Sequence, residues 1–465
     1  MSGITSEMIY TPGSQIVDST TSEIRLQPTT GSGSYSTAGS SVTFRIDRQP
    51  QTLLENNTLT LNGRVAITAG ATANTNLATL LGYAGSFFQT LRVRSNGTLM
   101  DDITNFAQLN AKIFDLTMSR SDKVALAPAY LFDPITNAQG VIVNGASATG
   151  TGAKWNMMAH HLNFSFSIPI PCSVTAASTF WPLFASDLEF EFVLANPTAI
   201  FVASLGTISP TYTLSQLEMV FNTIKLESGP FAQLMSNQHI NNGMIEIKTD
   251  MWSYYSTNLI ASQPAGRNDI QYPIQVKSIK RIMMTSSPSN AAELTFAGVN
   301  PNLESIQFIV GSEVYPKLPM RVNNPSETLQ NCRRALGGVY SSNAGCLHPV
   351  AFAKASTRYN DYHFSYGTDS LLINEPIDAA TSFLTPVAWD SAMANNKWVL
   401  LMDLESVSGH KELLFSGVSS RGVTSYIRLT HEAALAAYSH SLHIWTNYDA
   451  VIRIDPINFQ TMVDN

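Results

Sequence analysis

The chain has 465 residues, 44% of them hydrophobic and only 13% charged, with a formal net charge of −7. So large an apolar fraction at so small a net charge excludes disorder across the bulk, and 27 basic against 34 acidic residues exclude general polyanion binding. The charged fraction is about half the ~25% of ordinary soluble domains, so Ser, Thr, Asn and Gln must coat the exterior, as suits a protein packed against copies of itself. Cys172, Cys332 and Cys346 are too scattered for a disulfide framework, and no CxxC accompanies them to suggest zinc. The stretch from Met1 to Glu7 has neither the basic nor the apolar region of a signal peptide, and no apolar run nears the ~18 residues of a membrane span. Synthesis in a reducing cell interior is the expectation, with Asn96-Gly97-Thr98 an incidental sequon.

Residues 1–40 are rich in Ser, Thr and Gly and read as an extended arm with little structure of its own. Its single basic residue, Arg25, cannot grip a nucleic acid as Arg- and Lys-rich arms do. From residue 42 the chain alternates apolar and polar residues at the two-residue period of a half-buried strand. Val42, Phe44 and Ile46 are one such set, and Leu59, Leu61, Gly63, Val65 and Ile67 another. Phe164, Phe166, Ile168 and Ile170 follow, then Leu188, Phe190, Phe192 and Leu194. Leu217, Met219 and Phe221 close the first half, with Ile224 and Leu226 resuming after them. Many short strands separated by turns predict an all-β sandwich or barrel.

Two segments depart from this pattern. Between Asp101 and Met118 the steps of three and four among Ile103, Phe106, Leu109, Ile113 and Leu116 predict a helix, with Asp101 and Asp102 at its N-terminus. Asn324-Pro325-Ser326-Glu327 predicts a second helix, capped by Asn324, presenting Leu329, Cys332, Ala335 and Leu336, and stopped by Gly337-Gly338. These features recur in one order. A turn (Leu91–Gly97, Ile306–Gly311) precedes each helix at an offset of about 214 residues, and three apolar strands follow at offsets of about 225 to 238. The recurrence predicts two diverged copies of one β domain, at 41–227 and 228–465, joined near Glu227-Ser228-Gly229-Pro230.

Motifs of catalysis do not form. There is no phosphate-cradling GxxxxGK[ST], and His431-Glu432 lacks the second histidine of an HExxH helix. Gly417-Val418-Ser419-Ser420-Arg421-Gly422 lacks the glycine two past the serine of a nucleophile turn and reads as a loop. His160 and His161, being adjacent, would point to opposite faces of a strand, so a surface-loop pair is the reading rather than a metal site. His440 and His443 read as exposed residues where a strand begins. Glu189 and Glu191 share a strand face roughly 6.6 Å apart, a spacing that glycoside hydrolysis could use but that solvent-facing alternation explains better. The aromatic run Arg358 to Tyr366 lacks the neighbouring basic charge needed to hold nucleic acid and reads as a packed loop or subunit contact. The sequence therefore assigns no catalytic residue, no cofactor and no metal site.

Phe44-Arg45-Ile46-Asp47, Gln49-Pro50 and Asn57 to Leu61 resemble the first strands of viral double jelly-roll major capsid proteins of the adenovirus, tailless-phage and large DNA virus lineage. So do Gly85-Ser86-Phe87-Phe88 through Leu99, Gln307 to Gly311 with Tyr315-Pro316, and Tyr448 to Ile452. The resemblance is one of pattern across most of the chain. It implies two eight-stranded antiparallel jelly rolls side by side, homotrimeric pseudo-hexagonal capsomers tiling an icosahedral shell, and neighbouring capsomers and minor capsid or penton proteins as partners. It further implies a place in the virion, no strong direct nucleic-acid binding, and towers built from about Arg120 to Ala159 and Gly338 to Asn396. Such shells usually enclose DNA, often over an internal membrane. The alternatives are a double jelly-roll hydrolase acting on glycans and a trimeric spike or carbohydrate-binding β protein.

Overall fold

The computed structural model describes residues 19–30, 33–68, 78–80, 82–131, 163–203, 210–240, 243–260, 264–288, 298, 300–336, 398–406, 415–432 and 439–465. In the first half, the main strands are β1 (Ser19–Leu26), β2 (Ser41–Ile46), β3 (Thr60–Thr68), β4 (Phe88–Ser95), β5 (Thr98–Thr104), β6 (Asn163–Pro169), β7 (Leu188–Leu194) and β8 (Thr211–Leu226). They pair antiparallel as β1-β8-β3-β6 in one sheet and β2-β7-β4-β5 in the other. In the second half come β9 (Ile245–Leu259), β10 (Gly266–Tyr272), β11 (Ile279–Pro288), β12 (Leu303–Val310), β13 (Glu313–Arg321), β14 (Leu400–Asp403), β15 (Ser425–His431) and β16 (His440–Asp455). Their orders are β9-β16-β11-β14 and β10-β15-β12-β13, and β17 (Gln460–Asp464) adds to β16. The second set repeats the first strand for strand. Eight strands in two sheets with this crossover order make a jelly roll, so the chain is a double jelly roll.

The alternating residues explain the sandwich. Val42, Phe44 and Ile46 of β2 and Leu188, Phe190, Phe192 and Leu194 of β7 are all buried, while the residues between them are not. Phe44 meets Phe192 edge to face at 6.0 Å, a geometry aromatic rings favour. In β8 the buried face runs Tyr212, Leu214, then Leu217, Met219, Phe221 and Thr223. The change of phase is a bulge between Ser215 and Glu218, where Gln216 takes a left-handed φ of 51°. Ile224 and Leu226 are therefore only half-buried, and Thr223 continues the inner face.

Three expectations change. Ser19–Leu26, read as part of the arm, is strand β1, paired along its length with β8. Its outward residues are polar, so alternation does not announce it. Asp101, Asp102 and Ile103 belong to β5 rather than to a helix, and helix α1 spans Phe106–Thr117. Asn105 makes the sharp turn between them in the left-handed conformation at φ 53°. The Arg120–Ala159 stretch begins with helix α2 (Arg120–Tyr130), and α3 (Ser228–Ile240) follows β8. Residues 132–159, Gly338 to Asn396, His160-His161, Arg358 to Tyr366, Gly337 and Cys346 lie outside the described residues.

The second predicted helix is present as α4 (Pro325–Ala335), with Asn324 Oδ1 accepting from the Glu327 amide at 3.3 Å. Cys332 and Ala335 are buried against the sandwich, and Arg333 and Arg334 fall in the last turn, where cations complement the helix dipole. Both α1 and α4 follow equivalent hairpins, β4-β5 and β12-β13.

Phe190 is fully buried in a central strand, so Phe190→Ala is expected to cost about 3–5 kcal/mol in urea unfolding, whereas Asn324→Ala, which loses only a helix cap, is expected to cost ~1 kcal/mol. Equal losses from the two would contradict the packing described.

Candidate functional site at the seam between the sandwiches

The two sandwiches meet where β5, the edge strand of the first, packs beside β9, the edge strand of the second. At one end, Trp445 Nε1 donates to the Thr104 carbonyl at 3.4 Å and Asn105 Nδ2 donates to the Tyr254 hydroxyl at 2.7 Å. The same hydroxyl lies 2.7 Å from His443 Nδ1. Burial, aided by the Lys112 charge, pushes the His443 imidazole down to about 4, so it is neutral at physiological pH.

Along the middle, Thr249 Oγ1 donates to the Ser173 carbonyl at 2.5 Å, and the Ser173 amide donates to Asp101 Oδ2 at 2.5 Å. The Ser178 amide reaches the Lys248 carbonyl at 2.9 Å. At the far end, Thr461 of β17 is held by Ser95, Asn96 and Thr98 of the β4-β5 turn at 2.9 to 3.1 Å. The Arg48 guanidinium stacks 4.0 Å over the Phe459 ring. A seam built from directional bonds fixes register and angle more tightly than apolar area alone.

Asp101 is 1% exposed, and its Oδ1 finds no hydrogen-bond partner among the described residues. Burial raises its carboxyl from the ordinary 3.8 to about 6, against the opposing bonds from Ser173. Cys172 beside it is pushed up to about 12 by burial and by the Asp101 charge, which makes it an inert thiol.

Glu189 and Glu191 do lie on one face of β7, but both accept from Arg94 Nη1 at 2.9 Å. Arg92 continues the ladder, 3.5 Å from Glu191 and 3.4 Å from Asp102. The hydrogen bond to Glu191, with that to Glu189, raises the Arg94 pKa. These are cross-strand ion pairs on an outer sheet face. Gly417 to Gly422 is irregular chain with one bridge, Val418 to Ile279. Its Ser420 is buried, donating to the Ile274 carbonyl and accepting from the Val276 amide. A side chain at Gly417 would sit 2.1 Å from the Ile279 carbonyl, which explains the glycine.

Of the two histidines expected on the surface, His440 is buried and His443 is half-buried. His440 bonds Ser286 Oγ at 3.1 Å and His431 bonds the Pro301 carbonyl at 3.0 Å, and burial lowers both imidazoles. Among the described residues no three His, Cys, Asp or Glu side chains converge as metal ligands would. A buried ion network in the second sandwich left no mark in the sequence pattern. There Lys280 contacts Asp250, Glu405 and Asp449 at 3.1 to 3.5 Å, and Arg281 reaches Glu405. Burial opposes the Lys280 charge, but the surrounding acids outweigh it and raise its pKa. Its members come from four separate segments, so no local spacing reveals them.

No family profile matches the chain, and no curated protein matches it in sequence. Solved structures do match its fold. The chain is similar to the Faustovirus major capsid protein at 9% identity and a TM-score of 0.58, over 97% of this chain and 93% of that one. It is similar to the subunit in a quasi-atomic model of the PBCV-1 virus capsid at 10% identity and a TM-score of 0.56, over 98% and 99%. The mavirus major capsid protein matches at 12% identity and a TM-score of 0.50, over 99% and 93%. The chain therefore has the double jelly-roll fold found in viral major capsid proteins.

Because the folded pKa of Asp101 lies above its ordinary value, the neutral acid stabilises the seam fully below about pH 4, and that contribution is lost as pH rises through about 6, by up to about 3 kcal/mol. Asp101→Asn is expected to flatten the stability profile measured by chemical denaturation between about pH 4 and 8. An unchanged slope would show that the carboxyl is not desolvated at the seam.

Proposed function

We propose that this protein is the major capsid protein of an icosahedral virus, a structural subunit without catalytic activity. Its partners are copies of itself, in homotrimeric pseudo-hexagonal capsomers that tile a shell around the genome, and minor capsid or penton proteins at specialised positions. The observation that carries this reading is one strand order built twice, joined by a hydrogen-bonded seam, in a fold shared over nearly the whole length with chains described as major capsid proteins. The sparse surface charge supports it, since identical copies then repel little. Glu189, the acid that a glycan hydrolase would need, is occupied by Arg94.

In this reading the first module ends at residue 227 and the second begins at 228. The weakly basic N-terminus fits a shell that does not itself hold the nucleic acid.

Light scattering of the purified chain is expected to give a particle three times the 50.6 kDa of one copy, and negative-stain images hexagonal outlines or closed shells. A chain that stays monomeric at every concentration tested would overturn the reading. Glu189→Gln is expected to leave that assembly unchanged.

A further inference from the structure

The seam has a counterpart on the opposite flanks of the molecule, where β1 and β8 of the first module hold the places of β9 and β16 of the second, and β13 of the second holds the place of β5 of the first. Glu218 of β8 stands opposite Asn62, as Trp445 of β16 stands opposite Met283. Leu26 of β1 stands opposite Met219, as Ser253 of β9 stands opposite Thr446, so Gln27 falls at the position of Tyr254. In the hairpins, Leu91 opposite Ile103 matches Ile306 opposite Met320. The next residues, Thr104 and Arg321, are therefore equivalent, and Asn105 and Asn324 are the N-caps of the helices that follow.

Within the chain, Trp445 and Tyr254 of the second module receive Thr104 and Asn105 of the first. The counterparts of the receiving pair are Glu218 and Gln27 on the first module. With Asn62, Arg64 and Gln216 they line a concavity of about 720 Å³. The counterparts of the inserted pair are Arg321 and Asn324, both exposed on the second module. Where the seam uses an indole and a carbonyl, the outer flanks carry a carboxylate and a guanidinium. The Glu218 side chain is 33% exposed, with Arg25 at 4.0 Å as its nearest cation.

We propose that Arg321 of one copy pairs with Glu218 of the next, seating the start of α4 against the concavity and repeating between copies the contact that Thr104 makes with Trp445 within one. The occupant of the concavity is thus a second copy of this chain. The contact is heterologous, since donor and acceptor patches differ, and a heterologous contact closes into a ring when its rotation divides the circle. Here each copy brings one such contact already made inside itself. The opposite charges set register and partner choice for the contact between copies. The inference rests on the self-assembly reading above and adds to it the surfaces that meet.

The test is a charge swap on the full chain, with association measured by sedimentation velocity and folding checked by circular dichroism. Arg321→Glu and Glu218→Arg are each expected to weaken self-association by about tenfold or more, and the double variant to recover most of it. The milder Arg321→Gln and Glu218→Gln are expected to weaken it by a few-fold and to reduce its dependence on salt. Four folded variants that assemble as the wild type does would overturn the pairing while leaving the capsid reading intact. Weakened single variants without recovery in the double would overturn it too. A wild-type chain that never associates would remove both.

Discussion

The constraint on which this molecule depends is the joining of two sheet edges by hydrogen bonds that tolerate little displacement. β5 and β9 each end a sheet, and an edge strand left unpaired is a hazard for any β protein. Here the two are packed together, and the bonds run from Thr461 at one end, through Thr249, Ser173 and Asp101, to Tyr254 and Trp445 at the other. Interfaces between domains of one chain usually leave room for relative motion. A contact that buries the Asp101 carboxyl and spends the Ser173 backbone amide on it leaves much less. The angle between the sandwiches is thereby set by contacts within the single chain.

Much of this was legible in the residues themselves. β2, β3, β6 and β7 face the core on one side and polar residues on the other, so alternation marked them. Asn324-Pro325 with Glu327 marked α4 because cap, fixed φ and first-turn acid are local signals. The repeat was legible because corresponding strands kept their order while their sequences diverged. Elsewhere local pattern misled. β1 is polar on its outer side and depends on β8 for its place, so it read as arm. Ile103 fitted a helical spacing by accident of strand burial, and only the left-handed Asn105 ends the strand.

The site was less visible than the fold for the same reason. Asp101 and Ser173 are 72 positions apart and Asn105 and Tyr254 are 149 apart, so no spacing rule connects them. Glu189 and Glu191 were visible as a pair, but the Arg94 that binds both comes from the neighbouring strand. His440 and His443 looked like surface residues because the sequence does not report which faces the second sandwich covers. The Lys280 network shows the cost of that blindness. Lys280, Glu405 and Asp449 have little solvent access and are stable only because they satisfy one another, with Asp250 and Arg281 at the margin, and removing one would strand the rest.

Covalent linkage gives the seam a further property. Its two halves share one polypeptide, so they meet at the millimolar effective concentration typical of tethered partners, whatever the abundance of the protein. Dilution acts only on contacts between separate copies. A chain built this way keeps its two sandwiches in register however scarce it is.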